Sequence, residues 1–179
     1  MAVDAFIWFE SPGVGSAPEG ETKDSVYSEK KAFEIKDFSF GVENPTTMGS
    51  ASRGAGAGKI KFNEFTIKKT TDQASPCFFK NCCVGAHYQT VTIDMRKSGG
   101  DASVSGKCFL TFKFDTVFTT KIDWSGPGDE GPEESITFVY GKLGVVYYPQ
   151  TTTGAQDSAN AKRAGWDQVL NKDAQDFVS

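Results

Sequence analysis

A single histidine among 179 residues removes most hydrolytic and metal-dependent chemistries at the outset. Any Ser or Cys nucleophile would need His87 as its base, and no Gly-x-Ser-x-Gly elbow presents such a serine. Zinc calls for ligands at tetrahedral spacing, which adjacent Cys82 and Cys83 with only His87 nearby do not provide. Positive charge is short as well: 19 Lys and Arg stand against 23 Asp and Glu, for a net charge of -4. Nothing in that balance attracts a phosphate backbone, so no nucleic acid partner is expected. No apolar run reaches the length of a bilayer span, and no direct membrane insertion is expected. The apolar start at 1–9 lacks the basic flank and cleavage site of a signal peptide, so the expectation is a soluble, leaderless protein.

Other motifs fail on inspection. The run Gly54-Ala55-Gly56-Ala57-Gly58-Lys59 imitates a phosphate-binding loop, but that motif needs Gly where Arg53 stands and Ser or Thr where Ile60 stands. A dinucleotide fingerprint also fails, because the residues after Lys59 pattern as a strand rather than a helix. The acidic residues Asp123, Asp129, Glu130, Glu133 and Glu134 lack the alternation and closing Glu of a calcium loop, and read as a solvated turn between strands. Cys77, Cys82, Cys83 and Cys108 read as reduced core residues, since a domain of this size needs no disulfide framework. No catalytic, cofactor-binding or metal-ligating residue is expected, and no cofactor.

What the chain does have is alternation. A length of 179 residues fits one domain that buries roughly 70% of its unfolded surface. Strands are predicted at 3–9, 90–96, 136–140 and 143–148, with apolar residues on every second position. Several segments change parity midway. Phe33 and Ile35 give way to Phe38, Phe40 and Val42; Ile60 and Phe62 to Phe65 and Ile67; Leu110, Phe112 and Phe114 to Val117. Keeping one face buried through such a slip requires a bulge or a bend, which is the signature of a curled sheet. One helix is expected at about 75–84, with Ser75 as N-cap, Pro76 in the first turn, Gly85 as left-handed C-cap and an apolar stripe of Phe78, Phe79, Cys82 and Cys83. After Pro149 the chain turns polar, and 157–170 reads as a short helix or a loosely docked tail.

The order of several short pieces then resembles a known family. These are Gly20-Glu21-Thr22-Lys23-Asp24, then Ile35-Lys36-Asp37-Phe38-Ser39-Phe40-Gly41-Val42 leading to Asn44-Pro45, and a Gly-rich loop ending in Gly58-Lys59. Ala74-Ser75-Pro76 then opens the helix, the late strand 136–141 comes next, and Gly165-Trp166-Asp167 stands near the end. Together they resemble the haemolysin-coregulated protein family, Hcp, the tube protein of bacterial type VI secretion systems.

The resemblance implies a mainly β fold, a two-sheet, partly closed barrel with one flanking helix. It implies a tube-subunit domain over 1–150 with an extended loop at 41–58, and a polar tail at 151–179 docked on it. It further implies a structural protein rather than an enzyme, forming hexameric rings that stack into a tube. The implied partners are other copies of itself, the sheath, baseplate and spike proteins of the machine, and effector proteins carried in the pore. The protein would be cytoplasmic before firing and secreted afterwards. Asn44, Met48, Arg53, Gly54, Gly56 and Gly58 are the expected ring-stacking residues; Asn44 stands where the family pattern has Gln, and the loop is unusually rich in Gly and Ala. Rival readings are a tube subunit of another contractile particle or phage tail and, more distantly, a β-rich hydrolase or carbohydrate-binding module using Glu133, Trp124 or Trp166.

Overall fold

Alternation in β1 (Val3–Pro12) puts Ile7 and Phe9 on one face and Phe6 and Trp8 on the other, yet all four are buried. Ile7 and Phe9 enter the main core; Phe6 and Trp8 form a second cluster with Tyr27 and Ala32. The outer face is covered because the 24–32 segment lies across it. Tyr27 stacks on Phe6 at 4.2 Å, and the Lys30 ammonium sits 4.0 Å above the Trp8 ring, a cation over an aromatic face. The computed structural model describes residues 3–12, 15–46, 59–97, 107–128, 131–150 and 156–178.

From β1 the chain continues through β2 (Phe33–Glu34), β3 (Asp37–Ser39), β4 (Val42–Glu43), β5 (Lys61–Phe62), β6 (Phe65–Thr70), β7 (His87–Lys97), β8 (Cys108–Gly128), β9 (Gly131–Tyr147), β10 (Lys162–Asp167) and β11 (Lys172–Asp173). The pairings are antiparallel. β1 pairs β7, β7 pairs β8 and β8 pairs β9 along its length. The other edge of β9 is shared, with 133–138 taken by β6 and 142–147 by β10. β2 lies on β1 while β3, two residues later, lies on β6. The link between them is hydrogen-bonded both ways: Ile35 N–H donates to Ala5 C=O and Lys36 N–H to Lys68 C=O. This run therefore joins two distant edges and curls the sheet into a partly closed barrel. Inside it Phe65 stacks on Phe114 at 4.6 Å, with Phe138, Phe9, Phe78 and Tyr88 close by.

The parity slips have two physical origins. The changes at 35–38 and 62–65 are strand boundaries, not bulges: β2 ends before β3 begins, and β5 belongs to a separate two-stranded ribbon with β4. The third slip is a true bend. Phe114 and Val117 are both fully buried three residues apart, and Thr116 between them has φ 56°, a left-handed conformation that a β-branched residue adopts only under constraint. The bend is shared by the flanking strands. Tyr88 and Val91 on β7 and Tyr140 and Leu143 on β9 are also buried three apart, and register is kept as 88↔117↔140 and 91↔114↔143. A real register shift lies further along, between Thr119 and Lys121, which lets Thr119 and Ile122 both face inward.

The helix, α1, spans Ser75–Val84 and ends on Gly85 at φ 64°, as its sequence predicts. Ser75, however, is its first residue; the cap position is Ala74, with no side-chain cap. The buried face is Ser75, Phe78 and Asn81, whereas Phe79 is 53% exposed and Cys83 is exposed, so the expected four-residue stripe is wrong. Phe78 alone fills the contact, and Asn81 is preferred to an apolar residue because its amide donates to Ser16 C=O at 2.8 Å and to Tyr88 OH at 3.0 Å. The cysteines are free, but none is fully buried. Their expected core placement does not hold.

The stretch 157–170, expected to be helical or loosely docked, instead holds a 3-10 turn at Ser158–Asn160 and β10, with β11 and a second 3-10 turn at Gln175–Val178 following it. Two glycines make this possible. Gly165 and Gly144 face each other across β10 and β9; a Cβ on the first would lie 2.4 Å from Ala174 C=O, and one on the second 2.2 Å from Val178 Cγ1. The final turn packs flat on the sheet because neither residue has a side chain.

Candidate assembly surfaces

One face of the sheet carries two rows of polar side chains. Register sets Ser39, Thr66, Thr137 and Lys121 in one row across β3, β6, β9 and β8, and Asp37, Lys68, Ser135 and Asp123 in another. Between the rows Phe38, Ile67, Ile136 and Ile122 turn to the opposite face, into the core. These residues satisfy one another, and Thr137 among them is buried. Thr66 and Thr137 hydroxyls are 3.0 Å apart, Lys68 lies 3.9 Å from Asp37, and Lys121 pairs with Asp123. Exposed ion pairs of this kind contribute little stability; their effect is to present small, self-neutralised polar groups. Next to them Phe118 and Val139, paired across β8 and β9, are both more than a third exposed, and the His87 ring lies 5.3 Å from Phe118.

A second surface lies where α1 meets the turn end of the β8–β9 hairpin. Trp124 and Phe79, each half exposed, stand 6.1 Å apart and, with Thr71, Asp72, Ser75 and Pro76, line an open groove of about 430 Å³. Beneath the lining, withdrawn from the groove itself, lies an ionic cluster. Lys69 Nζ lies 2.6 Å from Glu134 Oε1 and 2.9 Å from Asp72 Oδ1, and donates to Thr70 C=O. Glu134 also accepts from Ser75 Oγ and from the Trp124 indole N–H. Glu134, read from sequence as part of a solvated turn, is thus 2% exposed. It is moved inward because β9 alternation puts it on the same face as Ile136 and Phe138, and the Lys69 charge, with the hydrogen bonds from Ser75 and Trp124, makes that burial tolerable.

A third cluster holds the 24–32 cover to the sheet. Arg96 Nη2 donates to Asp24 Oδ2 at 2.6 Å and lies 3.5 Å from Asp4. Burial acts to raise the Asp24 carboxyl, but the hydrogen bond from Arg96, those from the Val26 and Tyr27 N–H groups and the Arg96 charge outweigh it and hold its pKa below 3.8. Tyr27 OH and Thr111 Oγ1 both donate to Asp94. Burial, then the Asp94 charge, pushes the Cys108 thiol up to about 11, so it is not a thiolate near neutrality.

Of the ring-stacking residues expected from sequence, Asn44 is exposed just beyond β4 and receives hydrogen bonds from Thr46. Met48, Arg53, Gly54, Gly56 and Gly58 lie outside the described residues. The base of that loop is fixed: Phe62 stacks on Tyr140 at 5.1 Å, and its N–H donates to Gln168 Oε1. The exposed Phe79–Trp124 pair escaped sequence reading because helical spacing put Phe79 beside Phe78 on the buried stripe. Among the described residues, no three His, Cys, Asp or Glu side chains converge to hold a metal, and no helix is long and apolar enough to cross a membrane.

Comparison with known proteins bears directly on these surfaces. A family model described as type VI secretion system effector, Hcp, matches residues 6–147. The protein hcp1 of Pseudomonas aeruginosa is 29% identical over 167 residues, covering 93% of this chain and 95% of that one. A solved structure described as a type six secretion system protein superposes with a TM-score of 0.83 at 26% identity, covering 97% of this chain and 100% of that one. Hcp1 from Salmonella typhimurium superposes with a TM-score of 0.73 at 22% identity, again over 97% and 100%.

Proposed function

Because the chain belongs to the type VI secretion Hcp family, whose members are structural tube proteins and not enzymes, we propose that it builds the inner tube as closed hexameric rings stacked end to end. The observation that carries this reading is the family match over 6–147, joined to a fold shared along nearly the whole chain. Membership also sets aside the hydrolase and carbohydrate-binding alternatives.

The geometry supports the reading in two ways. A heterologous interface, in which one patch meets a different patch on the next copy, closes into a ring when the rotation divides a full turn. The exposed Phe118–Val139 pair is the kind of apolar surface such a contact buries. A conduit for varied cargo needs walls that do not adhere, and the rows Ser39, Thr66, Thr137, Lys121 and Asp37, Lys68, Ser135, Asp123 offer a neutral, hydroxyl-rich face for that purpose.

On this reading residues 1–150 form the tube subunit and 151–179 dock on it. The 41–58 loop bridges one ring to the next, effectors ride in the pore, and sheath, baseplate and spike proteins surround and cap the tube. Assembly takes place in the cytoplasm, and sheath contraction expels the tube. Light scattering on a size-exclusion column with negative-stain images of the peak tests this. A mass of about six protomers with open rings is expected; a monomer at all accessible concentrations overturns it.

A further inference from the structure

The 24–32 cover belongs to a closed loop whose ends meet. Gly20 N–H donates to Lys31 C=O at 2.8 Å, and a Cβ on Gly20 would lie 2.0 Å from Ala32 C=O, so the two arms come this near only with glycine there. At that neck Lys31 has φ 53°, a left-handed conformation uncommon outside glycine and held by its surroundings. Between the arms the loop bonds to itself. Asp24 Oδ1 accepts from the Val26 and Tyr27 N–H groups, Ser28 N–H donates to Asp24 C=O, and Ala32 N–H donates to Tyr27 C=O. A surface loop of this length with joined ends is an Ω-loop, a unit that keeps its shape by its own contacts.

Its hold on the sheet is narrow. From 24 to 32 only Tyr27 and Ala32 are buried, and Ala32 sits at the neck. Among the described residues no backbone hydrogen bond joins 21–30 to a strand. What fastens the loop is side chains: Asp24 to Arg96 at 2.6 Å, Tyr27 OH to Asp94 at 3.2 Å, the Tyr27 ring on Phe6, Lys30 over Trp8, and Thr22 to Glu34 at the rim.

The contact beneath is half made. The Arg96 side chain is nine-tenths buried, yet among the described residues its Nε and Nη1 meet no acceptor. Only Nη2 is bonded, to Asp24, with Asp4 3.5 Å away. Buried donors in that state cost free energy that water returns on exposure. Stacking of Tyr27 on Phe6 therefore favours a closed loop, and desolvation of Arg96 opposes it.

We propose that residues 20–32 form a flap that swings off β1 as one piece about the Gly20–Lys31 neck, baring Phe6, Trp8 and Arg96 on the outer face of the sheet. Asp24 and Tyr27 are its two latches. The device is independent of the tube reading, because every group in it belongs to one chain.

Labelling the full chain with 5-fluorotryptophan tests it, since fluorine on Trp8 reports from beneath Lys30; a Trp8→Phe sample assigns the resonance. In fluorine relaxation dispersion the Trp8 signal is expected to exchange with a minor state on the microsecond-to-millisecond scale. The Ser28 and Ala32 amides, whose bonds are internal to the flap, are expected to stay protected from hydrogen exchange. Asp24→Asn is expected to raise the minor population roughly thirtyfold, the loss of one hydrogen bond to a charged group, and Tyr27→Phe about fivefold. Neither variant is expected to move the Trp124 or Trp166 signals.

A Trp8 signal without exchange in the parent and both variants overturns the flap. Ser28 and Ala32 amides that open to the same extent as Trp8 also overturn it, because the segment would then be unfolding rather than swinging.

Discussion

Trp124 donates its indole N–H to Glu134 Oε2 at 3.0 Å, while the other oxygen of the same carboxylate sits 2.6 Å from Lys69. One buried anion thus moors an exposed ring on β8, the end of β6 and, through Ser75, the start of α1. Lys69 and Glu134 are almost completely withdrawn from water, so neither tolerates loss of the other. Lys69→Met is expected to cost about 3–5 kcal/mol, because Glu134 is left charged and unpaired in a low-dielectric site. The double variant Lys69→Met, Glu134→Leu is expected to recover most of that loss. Urea unfolding of the two proteins, followed by circular dichroism, provides the comparison; equal stability of both would mean that the ion pair does not govern the site.

The Asp24–Arg96 contact makes the cover over β1 sensitive to acid. The Asp24 carboxyl is held below its ordinary 3.8 in the folded state, so between the folded and unfolded values the unfolded chain binds more protons. Its stabilising contribution is therefore fully present above the unfolded value and is lost as pH falls through the folded one. Asp24→Asn is expected to cost about 2 kcal/mol at neutral pH and to flatten the stability profile below pH 4. Thermal unfolding of both proteins across pH 2.5–7 measures this, and parallel profiles would argue against the link.

Tyr140 offers a change in the opposite direction. Its hydroxyl is buried with no hydrogen-bond partner among the described residues, and burial pushes the phenol up to about 12. Its ring still packs against Phe62 and Phe114. Tyr140→Phe keeps that packing and removes the unsatisfied group, so a gain of about 1 kcal/mol is expected. A lower melting temperature would reveal a partner for the hydroxyl.

Gly165→Ala tests how the chain end is seated. The added methyl would lie 2.4 Å from the Ala174 carbonyl, and the obstacle is backbone, which cannot swing aside as a side chain would. Hydrogen exchange is expected to rise over 162–178 and stay unchanged in β7 and β8. Uniform loss of protection would instead indicate that the end folds as one unit with the barrel.

Much of this protein can be read along its chain. Alternation locates β1, β7 and both halves of β9, since a strand buries every second residue whatever it pairs with. Pro76 and Gly85 bracket α1 because backbone geometry at a helix end is a local property. The order of short motifs points to the family before any contact is known. Other features depend on partners distant in sequence. Both faces of β1 are buried because Tyr27 lies on one of them, and Glu134 is buried because Lys69 arrives from β6. The chain 162–167 becomes a strand because β9 leaves an edge open and Gly144 and Gly165 clear the space above it. Phe79 and Phe78 are neighbours of the same type, yet only Phe78 meets the core. Local pattern fixes what a segment can form, but which of its faces is buried depends on what the rest of the chain packs against it.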